Sequence, residues 1–162
     1  MCEQLRKTLM AATEDLVLFV GIQASGKSTF YAERFSGTHV RINLDMLKTR
    51  YREQLLMTAC LQGRTSFVVD NTNLTRIDRA RYILPARAAG FRVIGFYFQS
   101  KVSVCLERNA QREGRQRVPD LAILGSTKRL EFPSVVEGFD SLSFVRIGAD
   151  REFVVEEWKS DS

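Results

Sequence analysis

The sequence has few cysteine and histidine residues, which are common in metal and redox sites. Its 162 residues include three cysteines, three prolines, one histidine and one tryptophan. Cys2, Cys60 and Cys105 are far apart and lack the close pairing of zinc and redox motifs, so reduced thiols without a function are predicted. The single histidine, His39, stands beside a predicted strand, which favours a structural role over catalysis.

Long apolar runs are also missing. No run is long enough to span a bilayer, and residues 1–7 have no apolar core of the kind that a secretory signal needs. The sequence therefore predicts an intracellular, cytoplasmic protein without a membrane partner. No internal repeat or interdomain linker divides the chain, and its length suits one core, so a single domain over residues 1–162 is expected.

Basic residues outnumber acidic ones. Lysine and arginine total 24 and the acids 19, which gives a formal net charge of +5. This excess favours an anionic partner, but it does not distinguish a nucleic acid from a nucleotide or a phosphorylated metabolite. One stretch is especially basic, and by itself it fits a solvated helix face as well as a binding site: Arg108, Arg112, Arg115, Arg117, Lys128 and Arg129.

Apolar strands alternate with helical segments along the chain. Strands are predicted at residues 16–20, 40–43, 66–70, 91–99 and 143–147, and helices at 3–12, 27–35, 46–61, 75–89, 102–112 and from Pro119. This alternation specifies an α/β fold, in which helices cover both faces of a central parallel sheet. Residues 153–155 fit either an edge strand or a docking segment. Ligands of such sheets bind beyond the carboxyl ends of the strands, where Gly21, Asn43 and Asp70 fall.

A phosphate-binding loop follows the first predicted strand. The pattern G-x-x-x-x-G-K-[ST] is matched by Gly21-Ile22-Gln23-Ala24-Ser25-Gly26-Lys27-Ser28. Its glycines let successive N–H groups converge on an anion at a helix N-terminus. Lys27 is predicted to reach the β- and γ-phosphates, and the Ser28 hydroxyl to bind Mg²⁺. The predicted nucleotide-binding residues here are Gly21, Gln23, Ala24, Ser25, Gly26, Lys27, Ser28 and Thr29.

Polar residues follow the third predicted strand. Asp70 ends that strand, where its carboxylate is expected to hold Mg²⁺ through water, although a plain turn aspartate is the alternative. Asn71, Thr72 and Asn73 come next and face the same sheet edge. Their amides and hydroxyl either position an acceptor or cap the turn.

Four elements in order resemble the kinase domain of polynucleotide 5′-hydroxyl kinases, which are small P-loop phosphotransferases. They are the loop 21–28, Ile42-Asn43-Leu44-Asp45, Asp70-Asn71-Thr72-Asn73-Leu74, and Arg108-Asn109-Ala110-Gln111-Arg112 before Val118-Pro119. The resemblance covers residues 16–124. It implies a P-loop NTPase fold like that of nucleoside monophosphate kinases, with an arginine lid, with ATP and Mg²⁺ as cofactors, and with a nucleic acid 5′ end as acceptor.

The resemblance also implies residue roles. Asp45 would be the general base, although it also fits a cap for the helix predicted from Met46. Lys48 would bind the acceptor's phosphate, but it lacks the bidentate fork of the arginine that the family often has. Arg108 and Arg112 would close over the nucleotide, and Arg112 would be catalytic together with Lys27 and Asp45.

The leading functional hypothesis is ATP-dependent transfer of the γ-phosphate to the 5′-hydroxyl of a nucleic acid. One alternative is a P-loop kinase for a sugar, nucleoside or antibiotic, and a second is an ATPase or switch subunit. A pure nucleic-acid-binding module is disfavoured because a complete phosphate cradle would have no purpose. The sequence has no D-x-D-x-T phosphatase motif, so it lacks the two-activity architecture of repair enzymes. It also has no N-K-x-D element for guanine, which favours ATP.

Overall fold

The computed structural model of the chain describes residues 13–159. The helix predicted over residues 3–12 and the Cys2 thiol lie outside the described residues. Within this range the strands are β1 (Asp15–Val20), β2 (Val40–Ile42), β3 (Phe67–Val69), β4 (Arg92–Phe98), β5 (Ser141–Ile147) and β6 (Phe153–Glu157). They form one sheet in the order β2-β3-β1-β4-β5-β6.

The sheet is parallel except at one edge. β1 to β5 run parallel, as predicted, whereas β6 pairs antiparallel with β5. Residues 153–155 therefore belong to an edge strand, and β5 is not the last strand of the chain. Trp158 follows β6 and packs on the domain, with its ring centroid 5.1 Å from that of Tyr97.

Helices connect the strands. They are α1 (Lys27–Arg34), α2 (Leu44–Leu47), α3 (Arg50–Gln62), α4 (Arg76–Ala88), α5 (Val102–Ala110) and α6 (Asp120–Arg129), with 3₁₀ turns at Gly114–Gln116 and Val135–Glu137. The predicted start of α4 at Thr75 is confirmed, because Thr75 and Asp78 form a reciprocal capping box. None of the helices described in residues 13–159 is both long and apolar enough to cross a membrane.

The single helix predicted over residues 46–61 is wrong. The chain forms the short helix α2, breaks at Lys48 with φ 73°, and starts α3 after the cap residue Thr49. The Thr49 hydroxyl accepts a hydrogen bond from the Arg52 N–H at 3.2 Å, which fixes the new start. The break leaves α2 as a separate turn at the carboxyl end of β2.

Alternating side chains of β1 divide the core between the two faces of the sheet. Leu16 and Leu18 pack with residues of α3 and α4, whereas Val17 and Phe19 pack with Phe30 of α1. The predicted covering of both faces is thereby confirmed. A third cluster places α5 and α6 over the loop that precedes α1.

His39 and the two described cysteines, Cys60 and Cys105, pack within the protein. His39 packs edge-on against Phe35, and burial lowers the pKa of its imidazole. Cys60 and Cys105 are buried free thiols, and burial raises the pKa of both. Raised thiol pKa values reduce the thiolate fraction and so lower the reactivity of a cysteine.

Candidate functional site

The phosphate-binding loop spans residues 21–26, between β1 and α1. Ala24 and Gly26 both have positive φ, at 62° and 101°. The loop is anchored to neighbouring segments, because the Gly21 N–H donates to the Thr72 carbonyl at 3.0 Å and the Ile22 N–H donates to the Ser100 hydroxyl at 3.2 Å. These bonds hold an anion cradle in place at the N-terminus of α1.

Lys27 is buried at the first position of α1, with 8% of its surface exposed. Its Nζ donates to the carbonyls of Gly21 at 2.8 Å and Ile22 at 2.7 Å, and to the Ser25 hydroxyl at 3.3 Å. Burial lowers the pKa of Lys27 to about 8, although the nearby Asp70 acts in the opposite direction. All three hydrogen-bond partners are uncharged. A phosphate would supply a negative charge for the Lys27 ammonium, so the loop fits a nucleoside triphosphate.

Ser28 and Asp70 meet although 42 residues separate them. Ser28 Oγ donates to Asp70 Oδ2 at 3.1 Å, at the start of α1 and the end of β3. A hydroxyl and a carboxylate are the hard oxygen donors that Mg²⁺ prefers. The described residues hold no group of three acids, histidines or cysteines that could bind a metal unaided. Because Mg²⁺ commonly uses one carboxylate together with substrate phosphates, this donor pair fits a nucleotide-dependent Mg²⁺ site.

Arg41 of β2 contacts the same two oxygens, although no sequence motif had indicated it. Its Nη2 lies 2.7 Å from Asp70 Oδ2 and 3.0 Å from Ser28 Oγ, and its Nε lies 2.9 Å from Asp70 Oδ2. The only sequence signal was a single arginine between the apolar residues Val40 and Ile42.

Asp45 is exposed on α2, at the carboxyl edge of the sheet. The cap of this helix is Asn43, whose side chain accepts the Met46 N–H at 2.9 Å. Asp45 is therefore not the cap, and its carboxylate is free of that structural duty. The Leu44 N–H donates to Asn71 Oδ1 at 2.8 Å, which ties α2 to the segment after β3.

The predicted acceptor residues 71–73 are engaged within the protein. Asn71 Nδ2 donates to the buried Glu53 carboxylate at 2.9 Å, and Asn73 Nδ2 donates to the Phe19 carbonyl at 2.7 Å. The Thr72 carbonyl accepts the Gly21 N–H. These contacts position the phosphate loop and α2. Glu53 was missed because nothing in the sequence separates it from the other helix acids.

The four arginines from Arg108 to Arg117 differ in their contacts. Arg108 Nη1 lies 3.4 Å from the Ala24 carbonyl, and Arg112 Nη1 lies 3.3 Å from the Gln116 carbonyl. Arg112 follows α5, and its charge lowers the pKa of Lys27 as a lesser contribution than burial. Arg115 and Arg117 are exposed.

Three predicted residues carry fewer contacts. Lys48 is exposed at the break after α2, and Thr29 is exposed on α1. Gln23 Oε1 is buried and has no hydrogen-bond partner among the residues that the structure describes.

Known proteins resemble the chain in sequence. The chain is 28% identical over 136 residues to the bifunctional polynucleotide phosphatase/kinase of Schizosaccharomyces pombe, and the match covers 82% of this chain. The chain spans about a third of the length of that curated relative, because the match covers 33% of it.

Solved structures resemble the fold. A gluconokinase from Sinorhizobium meliloti 1021 superposes with a TM-score of 0.58 at 20% identity, over 83% of each chain. Kti12 from Chaetomium thermophilum, solved with ADP-AlF3, superposes with a TM-score of 0.58 at 15% identity, over 84% of this chain and 92% of that one. At these identities the likeness concerns the fold alone, which is that of P-loop kinases and NTPases. The AAA domain family model matches residues 16–133, so the chain belongs to the AAA domain family, with a P-loop NTPase fold.

Proposed function

We propose that the chain is one kinase domain that transfers the γ-phosphate of ATP to the 5′-hydroxyl of a nucleic acid. The observation that carries this proposal is the position of Asp45. The helix α2 presents it in solvent, on the sheet edge that also carries the phosphate loop, and Asp45 contributes to the electrostatic field at Lys27. A carboxylate beside a phosphate cradle suits a base for an incoming hydroxyl.

The protein residues divide the work. Lys27 and the loop N–H groups hold the phosphates and neutralise their charge. Asp45 orients the acceptor hydroxyl and takes its proton as the oxygen–phosphorus bond forms and the bond to the leaving ADP breaks. Arg112, with Arg108 behind it, meets negative charge that develops on the transferring group. Ser28 and Asp70 would hold Mg²⁺, which supplies further charge neutralisation to the phosphates.

The surface next to Asp45 suits a nucleic acid strand. The Tyr51 side chain is 71% exposed near the start of α3, and the exposed residues Lys48, Arg50 and Arg52 lie close to it in sequence. Bases stack on exposed aromatic rings, and phosphates bind the flanking cations. Met46 and Leu55 add exposed apolar surface nearby. The curated relative supports the same acceptor, because its name includes a polynucleotide kinase activity.

The test is transfer of labelled γ-phosphate to an oligonucleotide with a 5′-hydroxyl. Asp45→Asn and Lys27→Ala should both abolish labelling, whereas Glu33→Gln, an exposed acid-to-amide change on α1, should leave it intact. An oligonucleotide that already carries a 5′-phosphate should not be labelled. Oligonucleotide binding should also weaken steeply as salt rises, because bound phosphates release counterions.

Other outcomes would redirect the assignment. ATP hydrolysis that survives Asp45→Asn, without transfer to the oligonucleotide, would favour an ATPase or switch. Loss of hydrolysis in Asp45→Asn, again without oligonucleotide labelling, would favour a small hydroxyl acceptor. Binding of a sugar or nucleoside acceptor should not respond to salt, whereas binding of a nucleic acid should weaken as salt rises.

A further inference from the structure

The Arg41 guanidinium contacts both of the side chains that the proposed function assigns to Mg²⁺, Ser28 and Asp70, which are also hydrogen-bonded to each other at 3.1 Å. Two of its nitrogens lie within 2.9 Å of Asp70 Oδ2, and one lies 3.0 Å from Ser28 Oγ. The Asp70 side chain is 2% exposed and that of Arg41 is 30% exposed. The buried partner is thus the carboxylate, and the guanidinium is the partner with access to solvent.

A buried carboxylate requires a nearby positive charge, because desolvation of an unpaired ion costs several kcal/mol. Arg41 supplies that charge in this structure. Mg²⁺ held by Ser28 and Asp70 would supply the same compensating charge. A guanidinium and a divalent cation that share these two side chains would repel each other, so Mg²⁺ binding opposes the contacts of Arg41.

The Arg41 guanidinium also lies over an aromatic ring. Its guanidinium carbon is 5.5 Å from the centroid of the Tyr31 ring. Arginine stacks on aromatic faces without needing a carboxylate partner. Tyr31 is itself fixed, because its hydroxyl donates to the His39 carbonyl at 2.8 Å.

We propose that Arg41 is the resident counter-ion of Asp70 and that Mg²⁺ must displace it to bind. This inference rests on the proposed Mg²⁺ role of Ser28 and Asp70. Arg41 thereby raises the Mg²⁺ concentration that the site requires. It also links metal binding to nucleotide binding, because the triphosphate supplies the charge that makes the exchange favourable.

The test is the Mg²⁺ dependence of nucleotide binding, measured with a fluorescent ATP analogue at fixed concentration while Mg²⁺ is titrated. In Arg41→Gln the half-saturating Mg²⁺ concentration should fall by at least about fivefold, the lower end of typical coupling between sites. Arg92→Gln is the matched control, because Arg92 pairs with Asp15 at the amino ends of β1 and β4. It should leave the Mg²⁺ dependence unchanged.

Stability gives a second readout. With EDTA, Arg41→Gln should melt below the wild type because Asp70 loses its counter-ion, and Mg²⁺ with nucleotide should close the gap. If Arg41→Gln does not fold, Arg41→Lys is the second test variant. Lysine keeps the positive charge but cannot form the bidentate contact of a guanidinium, so this variant should also lower the half-saturating Mg²⁺ concentration.

The outcomes separate this inference from the proposed function. An unchanged or raised half-saturating Mg²⁺ concentration in the Arg41 variants overturns the displacement and leaves the kinase assignment standing. Nucleotide binding by the wild type that does not respond to Mg²⁺ overturns the metal role of Ser28 and Asp70, and the inference with it. Phosphoryl transfer to a hydroxyl is tested independently by the labelling assay.

Discussion

The Tyr82 hydroxyl donates a 2.8 Å hydrogen bond to the carboxylate of Glu53, and so joins α4 to α3 under the sheet. Glu53 is 2% exposed and also accepts from Arg50 Nη1 and Asn71 Nδ2, each at 2.9 Å. Through Asn71, which accepts the Leu44 N–H, this buried cluster reaches the turn that carries Asp45. Glu53 is therefore a positioning residue for the proposed base.

Replacement of Glu53 by glutamine should weaken both the fold and the reaction. The amide keeps the size of the side chain but turns an NH₂ group towards a hydrogen-bond donor, which should cost roughly 1–3 kcal/mol of unfolding free energy. The kcat for phosphoryl transfer should fall, while the KM for ATP changes little because the phosphate loop is untouched. Urea denaturation and steady-state kinetics measure the two effects.

Tyr82→Phe is the matched variant for this cluster, because it removes one donor and keeps the carboxylate. A smaller loss is expected in both measurements. Burial and the Glu53 hydrogen bond raise the pKa of Tyr82 to about 12, so Glu53→Gln should also shift the tyrosinate titration to lower pH. A Glu53→Gln protein with reduced stability but full kcat would restrict the cluster to a structural role.

The buried Lys27 predicts a specific pH dependence of stability. Its folded pKa of about 8 lies below the ordinary value of 10.5, so between these pH values the unfolded chain binds more protons than the folded one. The contribution of Lys27 to stability therefore rises with pH across that window and is lost as pH falls through 8. Relative to Lys27→Met, the wild type should gain about 2 kcal/mol between pH 7 and pH 10.

Denaturation curves at several pH values check this expectation. Lys101→Met, at an exposed lysine, is the control and should track the wild type. A constant difference between the wild type and Lys27→Met would show that the ammonium is not destabilised by burial.

Gly26→Ala should damage the phosphate loop. Gly26 has φ 101°, and a Cβ atom there would lie 3.1 Å from the Phe153 ring and 3.2 Å from Ile147 Cδ1. Both strain and crowding oppose alanine, so a loss of roughly 1–3 kcal/mol and of nucleotide affinity is expected. Gly37→Ala is the control, because nothing lies within 4 Å of the added carbon. Equal melting temperatures for the two variants would contradict the geometry.

Arg112→Ala should slow phosphoryl transfer far more than it weakens nucleotide binding. Arg112 is close enough to Lys27 for its charge to lower the Lys27 pKa, and the proposed function has it stabilise the transferring group. A fall of about 100-fold or more in rate is expected, whereas the exposed Arg117→Ala should remain near the wild-type rate. Single-turnover assays measure the transfer rate of both variants. Equal rate losses in Arg112→Ala and Arg117→Ala would show that Arg112 contributes only a general electrostatic effect.

Local patterns predicted much of the fold. The strand-loop-helix at residues 16–35 is specified by an apolar run, a glycine-rich loop and a helical period that are contiguous in sequence. The Thr75 cap was equally readable, since a capping box lies within four residues. The division of the helix at Lys48 was not, because it depends on hydrogen bonds that the Leu44 and Met46 N–H groups donate to the side chains of Asn71 and Asn43.

The sequence by itself determined the phosphate loop, the parallel order of strands and helices, and the edge on which the polar residues gather. Only the tertiary structure decided which of these residues meet. Arg41 and Asp70 are 29 residues apart, and Asn71 and Glu53 are 18 apart. Their pairing follows from strand register and helix packing, because long-range juxtaposition depends on how the whole core closes rather than on any local pattern.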